Sequence, residues 1–136
     1  MECMRIFLDA NTLISGILFN GKEHNLLTKN NRDTLITSED VLDETMKTIT
    51  QKFPESVGLV DAFLKILDLT VIKRKEYINK LNKHNVVRDK NDRHILAAAV
   101  VSKSDYIVTG DADLLVLKTY RNIHIVKTKK ILSLIR

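Results

Sequence analysis

The chain has 136 residues, of which 44% are hydrophobic, and this length and composition predict one domain, residues 1–136, with a sizeable core. The longest apolar run, ILAAAVV, is far shorter than the roughly 20 residues that cross a bilayer, and a single cysteine excludes an internal disulfide. The amino terminus, MECMRIFLDAN, lacks the basic region and cleavage site of a signal peptide, so we expect a cytoplasmic protein without a membrane partner.

Five short runs rich in β-branched and aromatic residues predict strands, at residues 4–8, 34–37, 69–72, 106–109 and 123–126. Helical periodicity lies between them, at residues 38–53, 55–67 and 91–102. Strands that alternate with helices indicate an α/β fold with three α/β/α layers and a central parallel sheet of four or five strands. The polar segment 73–93 is the stretch that we expect to be loosely structured.

Charge is distributed unevenly along the chain, whose net charge is +5. Residues 1–72 carry 7 Lys/Arg against 11 Asp/Glu, net −4, whereas residues 73–136 carry 15 against 6, net +9. A basic half favours a polyanionic partner such as RNA or DNA. A solvated lysine-rich surface would have the same composition, so charge alone leaves both interpretations open.

Acidic residues come directly after two of the predicted strands. Asp9 ends the first strand (IFLDAN), and Asp111 and Asp113 come after the fourth (IVTGDAD). In open parallel sheets, ligands bind outside the carboxyl ends of the strands, so we expect these side chains to share a crevice. Helices could add Asp92, which opens NDRHILAAAV, and Glu44, which comes after the apolar pair in EDVLDE.

Each of these carboxylates also has a structural explanation. A strand-end aspartate can cap the next helix, Asp92 can complement a helix dipole, and Glu44 can be an exposed helix residue. Several carboxylates in one crevice, however, repel one another unless a cation neutralises them. Hard oxygen ligands suit Mg²⁺ or Mn²⁺, which can activate water and stabilise charge on a phosphate.

Four blocks resemble the PIN domain in order and spacing over nearly the whole chain: LDANTLISG, TSEDVLDET, VVRDKNDRHILAAAV and IVTGDADLL. The resemblance is closest to the prokaryotic PIN toxins of toxin–antitoxin pairs, the VapC group. It implies an endoribonuclease dependent on Mg²⁺ or Mn²⁺, with an RNA substrate and a possible cognate antitoxin. The matching catalytic and metal-binding positions are Asp9, Glu44, Asp92 and Asp111, with Asn11, Thr109 and Asp113 as accessory polar residues.

RNA contacts are predicted in the basic run KRKEYINKLNKHNVVRDKNDR, which contains eight Lys/Arg and leads into Asp92. Lys90 and Arg93 are the candidates for reaching the scissile region. His94 lies two positions after Asp92, which on a helix turns it away, so we expect chemistry without histidine.

Two alternatives remain at this point. The DANT sequence after a strand also resembles haloacid dehalogenase-like phosphatases, but Asn11 stands where their proton donor should be, and an amide cannot act as a general acid. A PIN-like fold could instead serve as an inactive RNA-binding or protein-interaction module. Loss of one of the four principal acidic residues would favour that module, and all four are present.

The helix predicted at residues 55–67 has more apolar residues than one small sheet needs, with Phe53 and Phe63 adding bulk. We therefore expect a symmetric homodimer with this part of the chain near its interface. Burial of the helix within its own subunit is the alternative.

Overall fold

A computed structural model describes residues 3–29 and 32–135, except for the side chain of Lys29. Met1 and Glu2, which begin the segment predicted to lack an export signal, lie outside the described residues. The described residues form six strands: β1 (Arg5–Leu8), β2 (Thr34–Ser38), β3 (Leu69–Ile72), β4 (Tyr106–Val108), β5 (Thr119–Tyr120) and β6 (Ile123–Val126). These strands form one sheet in the order β3-β2-β1-β4-β6-β5.

The five predicted strands all occur, and every pairing among them is parallel. The sixth, β5, was not predicted and pairs antiparallel with β6 at the edge of the sheet. It is joined to β6 by Arg121 and Asn122, whose φ angles of 48° and 69° are those of a tight hairpin turn. An Arg-Asn pair lacks the glycine that usually marks this turn, so the sequence contains little sign of the hairpin.

Seven α-helices of the described chain surround the sheet: α1 (Ala10–Leu18), α2 (Lys22–Lys29), α3 (Glu39–Lys52), α4 (Val57–Ile66), α5 (Lys90–Val101), α6 (Ala112–Leu115) and α7 (Thr128–Leu134). The predicted helices correspond to α3, α4 and α5. Helices α1 to α4 pack against one another, whereas α5 packs against the segment that precedes it. The three-layer α/β/α prediction is confirmed. Within residues 3–29 and 32–135, no helix has the length and apolar character needed to span a bilayer.

The order of the strands places a crevice between β1 and β4. From β1 the chain moves one way across the sheet to β2 and β3, and then returns to form β4 on the other side of β1. Because crossovers between parallel strands are right-handed, this reversal puts the connecting helices on opposite faces. Neighbouring connections then diverge at the carboxyl ends of β1 and β4, which is where ligands bind in open α/β sheets.

The polar segment 73–93 is better ordered than its composition suggests. It forms two 3₁₀ helices, Arg74–Glu76 and Ile78–His84, and buries Tyr77, His84 and Val87. Nδ1 of His84 lies 2.7 Å from the hydroxyl of Tyr120, so the segment is attached to β5. The expectation of a loose segment was wrong, because its few large side chains are spaced to reach the core from short helical turns.

Candidate active site

Asp9 and Thr109 connect the ends of β1 and β4. Asp9 is 6% exposed and caps α1, accepting a hydrogen bond from the Thr12 amide at 2.8 Å. Its other carboxyl oxygen accepts from the hydroxyl of Thr109 at 2.5 Å, and Thr109 in turn accepts from the amide of Asp111 at 3.0 Å. The predicted meeting of these strand ends therefore occurs, with Thr109 as the link between the two acidic residues.

Asp92, Asp111 and Asp113 form a second group of carboxylates beside this link. One oxygen from each lies within 4.8 Å of the others. Asp111 caps α6 by accepting a hydrogen bond from the Asp113 amide at 2.9 Å, while Asp92 lies in the first turn of α5. Carboxylates from the start of α5 and from the segment that follows β4 therefore lie next to one another.

The surroundings of Asp92 disfavour its charged form. It is 5% exposed, and within the described residues its Oδ2 is buried without a hydrogen-bond partner. Burial raises its pKa to about 7, and the neighbouring carboxyl of Asp111, which could share a proton with it, adds to the rise. A buried carboxylate oxygen without a donor is costly unless a cation or a proton meets it.

Glu44 lies on α3 and is exposed to solvent. Its pKa is raised, first by partial burial and then by repulsion from Asp9 and Asp89. The charge of Asp9 therefore acts on Glu44, although Glu44 is outside the close group of three aspartates.

The remaining predicted positions have different surroundings. Asn11 is exposed at the start of α1 and lines a cleft together with Thr109. Lys90 is exposed at the start of α5, whereas Nε of Arg93 donates to the carbonyl of Val87 at 2.8 Å. Arg93 therefore has a structural role, because this bond attaches α5 to the segment before it.

The carboxylates fit a divalent ion. One oxygen from each of three aspartates lies close to the others, and carboxylate oxygens are the hard donors that Mg²⁺ and Mn²⁺ prefer. The buried Oδ2 of Asp92 has no hydrogen-bond donor among the described residues, and a bound ion would take the place of that donor. Asp113, expected to be accessory, belongs to the close group, so it is a candidate ligand in its own right.

A comparison with family profiles identifies the chain. Residues 5–113 match the profile described as the PIN domain. The chain belongs to the PIN domain family. This membership agrees with the resemblance seen in the four sequence blocks and argues against the haloacid dehalogenase-like alternative.

The solved structures that are similar to this PIN domain include the following two. VapBC2 from Rickettsia felis, bound to a DNA fragment from their promoter, is 22% identical with a TM-score of 0.62, covering 90% of this chain and 97% of that chain. VapC20 from Mycobacterium tuberculosis, described as a Sarcin-Ricin loop cleaving toxin, is 15% identical with a TM-score of 0.61, covering 88% and 98%. At these identities the likeness concerns the fold. Comparison with curated proteins gave no match.

A polar network around Asp40, which was not foreseen, joins the helices that bear Glu44 and Asp92. Asp40 Oδ2 accepts from the hydroxyl of Tyr77 at 2.6 Å and lies 2.6 Å from Nδ1 of His94, while Arg74 pairs with Oδ1. Asp40 thereby joins α3 to α5 and to the first 3₁₀ helix. Glu44 is one turn from Asp40 on α3, and Asp92 is two residues from His94 on α5, so the network fixes two acidic positions relative to each other.

The network changes the acidity of its members. Burial alone would raise the pKa of Asp40, but hydrogen bonds from Tyr77 and His94 outweigh it and leave that pKa below its ordinary value. Burial and the bond to Asp40 raise the pKa of Tyr77 to about 12. Asp40 therefore remains charged, and Tyr77 protonated, over the whole physiological range.

We expect Asp40→Asn to lower the free energy of unfolding by about 2 kcal/mol at pH 7, because three donors lose a charged acceptor. A depressed pKa in the folded state contributes stability above the unfolded pKa, and this is lost as pH falls through the folded pKa. The difference from wild type should thus be full above about pH 5 and shrink below pH 4, as measured by urea unfolding. Asp61→Asn, which breaks the exposed Lys65–Asp61 pair at 3.1 Å, is the control and should cost less than about 0.5 kcal/mol. Equal losses in the two variants would contradict the role given to Asp40.

Proposed function

We propose that this protein is a metal-dependent endoribonuclease, the toxin component of a toxin–antitoxin pair, that hydrolyses single-stranded or structured RNA. The observation that carries the proposal is the buried, unpaired Oδ2 of Asp92 among converging carboxylates at the carboxyl edge of the sheet. The PIN family match and the fold shared with VapC20, described as a Sarcin-Ricin loop cleaving toxin, support it.

Asp92, Asp111 and Asp113 would hold Mg²⁺ or Mn²⁺, with Asp9 and Glu44 adding negative charge around it. When bound, such an ion lowers the pKa of water and offsets charge on a phosphodiester. The chain itself contributes position: Thr109 fixes the carboxyl of Asp9 while its own oxygen accepts from the loop amide of Asp111. These side chains sit on strand ends and helix starts, which are rigid supports for a reacting phosphate.

The assembly proposals rest on the same comparisons and on the surface of α4. A cognate antitoxin is proposed because the similar Rickettsia felis structure is a VapBC2 assembly. The homodimer through α4 stays a prediction, supported by its exposed apolar residues Leu59 (59%) and Ile66 (82%). Sedimentation of a monomer at tens of micromolar protein would count against the dimer.

The decisive experiment is cleavage of end-labelled RNA by the purified protein. We expect internal cuts in a single-stranded RNA or an RNA stem–loop with Mg²⁺ or Mn²⁺, none in EDTA, and recovery when the metal is restored, because the acidic site is electrostatically unfavourable for a phosphate without a cation. A DNA strand of the same sequence serves as the control for substrate class. Full cleavage in EDTA would overturn the metal-dependent mechanism. RNA binding without cleavage in either metal would favour the inactive binding module.

A further inference from the structure

A cleft of about 490 Å³ opens beside the carboxylate site, between the α1–α2 region and the loops after β4 and β6. Thr109 and Gly110 line it on the side of the site, and Lys22, Lys127 and Lys129 line it elsewhere. We call it the lysine cleft. The sequence patterns did not indicate it, because the basic run that they single out lies before Asp92.

The lysine cleft lies next to the proposed active site and meets it at Thr109. Thr109 lines the cleft, and its hydroxyl donates to the buried carboxyl of Asp9. Gly110 is the next residue, and Asp111 comes after it in the group of three aspartates. A polymer with one phosphate at the carboxylates would therefore place an adjoining nucleotide in this cleft.

The charges around the cleft favour an anion. Its lining contains three lysines and one acidic residue, Glu23, which gives a net charge of +2. Within the described part of the chain, neither Lys127 nor Lys129 forms an ion pair, and both are exposed. Two cations without a protein counterion are available to displace the counterions of a phosphate backbone.

Glu23, the acidic residue of the cleft, is hydrogen-bonded to other residues that line it. It accepts a hydrogen bond from the hydroxyl of Ser15 at 3.1 Å. Burial would raise its pKa, but hydrogen bonds from Thr128 and Ser15 bring it below the ordinary value. Glu23 thus connects α2 with α1 and α7, and its charge is partly offset by the adjacent Lys22.

The opposite side of the site repels an anion. There a second cleft, of about 380 Å³, is lined by three carboxylates, Asp40, Asp43 and Glu44, and by Lys47. Arg74 pairs with Asp40 and Asp43, and Glu44 has no ion pair among the described residues, so the net charge there is still negative. A polyanion that leaves the carboxylates toward α3 meets this acidic surface, whereas one that leaves toward α7 meets Lys127 and Lys129. The charges around the two clefts therefore favour a strand that runs toward α7.

We propose that the lysine cleft binds the backbone phosphate next to the scissile one in RNA, with Lys127 and Lys129 as its cationic contacts. Lys22 also lines the cleft and adds a third positive charge to it. This assignment rests on the proposed ribonuclease function and adds to it a path for the substrate. Contacts of this kind position the strand without reading its sequence.

The test compares two double variants of equal charge. In Lys127→Gln/Lys129→Gln the cleft loses two positive charges. In the control, Lys52→Gln/Lys65→Gln, two lysines are removed from the last turns of α3 and α4. Both of those helices end toward the amino edge of the sheet, because α3 starts directly after β2 and α4 leads into β3. Binding of a labelled single-stranded RNA is measured by fluorescence anisotropy in EDTA at several salt concentrations.

We expect the cleft variant to bind RNA about tenfold more weakly near 0.1 M salt and to lower the slope of log K against log salt by about 0.7, the value for one lost phosphate contact on a single strand. With metal present, KM should rise while kcat is kept. The control should differ from wild type less than about twofold, because its lysines lie away from the proposed path. A cleft variant that matches the control would overturn the cleft assignment while leaving the proposed function intact. A wild-type protein that neither binds nor cuts RNA would overturn the proposed function and the cleft assignment together.

Discussion

Replacing Asp92 with Asn should reduce RNA cleavage by about 10²- to 10³-fold, the size of effect seen when one group that stabilises transition-state charge is removed. Asp92 supplies the buried oxygen that no described residue satisfies, and an amide there has neither the charge to hold a divalent ion nor two acceptor oxygens. Asp9→Asn and Asp111→Asn should give losses of similar size. The measurement is the initial rate of cleavage of an end-labelled RNA in saturating Mn²⁺ or Mg²⁺.

Two further variants make this prediction specific. Asp113→Asn should be milder, because Asp113 is exposed and an aspartate in such a position can exchange a direct contact for one through water. Asp43→Asn is the matched control: it removes a carboxylate that is 75% exposed and pairs with Arg74 at 3.4 Å, away from the group of three aspartates. Undiminished cleavage by Asp9→Asn or Asp92→Asn, or an Asp43→Asn variant as inactive as Asp92→Asn, would refute the assignment of these carboxylates.

The acidic residues at strand ends could be predicted because local patterns determine them. A run such as IVTG identifies a buried strand, and the geometry of parallel sheets then places the next residues of the chain at the carboxyl edge. The contact between Asp9 and Thr109, 100 positions apart along the chain, needed no separate information once both strands were recognised. Asp92 could be found in the same way, since the alanine-rich stretch after it is a clear helix.

Helices α1 and α2 escaped prediction for opposite reasons. Six of the nine residues of α1 are buried, so its polar stripe is only Asn11 and Ser15, and its short apolar run does not distinguish a helix from a strand. Helix α2 is polar, KEHNLLTK, and of its described side chains Leu26 and Leu27 are the ones that reach the core. Both helices are decided by tertiary packing, including the close approach of Leu27 to Gly16, where an added Cβ would lie 2.4 Å from Leu27 Cδ1.

The Asp40 network could not be predicted because its members are distant in sequence. Asp40 meets residues 34, 37 and 54 positions away, and no local period relates them. His94 was expected to face away from Asp92, and its ring does contact Asp40. The sequence could not reveal that a side chain turned away from Asp92 would contact a second carboxylate, the half-buried Asp40. Lys127 and Lys129, in contrast, come directly after β6, so the strand-end rule applied to basic residues would have identified them.

Stability without metal should depend on pH through Asp92, and the Asn variant should remove that dependence. The pKa of Asp92 is about 7 in the folded protein against an ordinary 3.8, so between these values the folded chain holds a proton that the unfolded chain has lost. Stability from this group is complete below about pH 4 and is lost as pH rises through 7. In EDTA, Asp92→Asn should therefore melt about 5 °C above wild type at pH 8 and less than half as far above it at pH 5.

Adding metal should reverse the order of the two proteins. An ion that binds only the folded state stabilises it by about 2.7 kcal/mol at a concentration 100 times its Kd, so Mn²⁺ or Mg²⁺ should raise the melting temperature of wild type at pH 8. Asp92→Asn should respond little, because it lacks the carboxylate that the ion would neutralise. Asp9→Asn is the comparison that shows whether removal of any carboxylate raises the melting temperature. Both oxygens of Asp9 already accept hydrogen bonds, from Thr12 and Thr109, so Asp9→Asn should melt no higher than wild type in EDTA. If Asp92→Asn melted no higher than wild type in EDTA at pH 8, the cost of a buried charge beside other carboxylates would not be the force that draws a cation to this site.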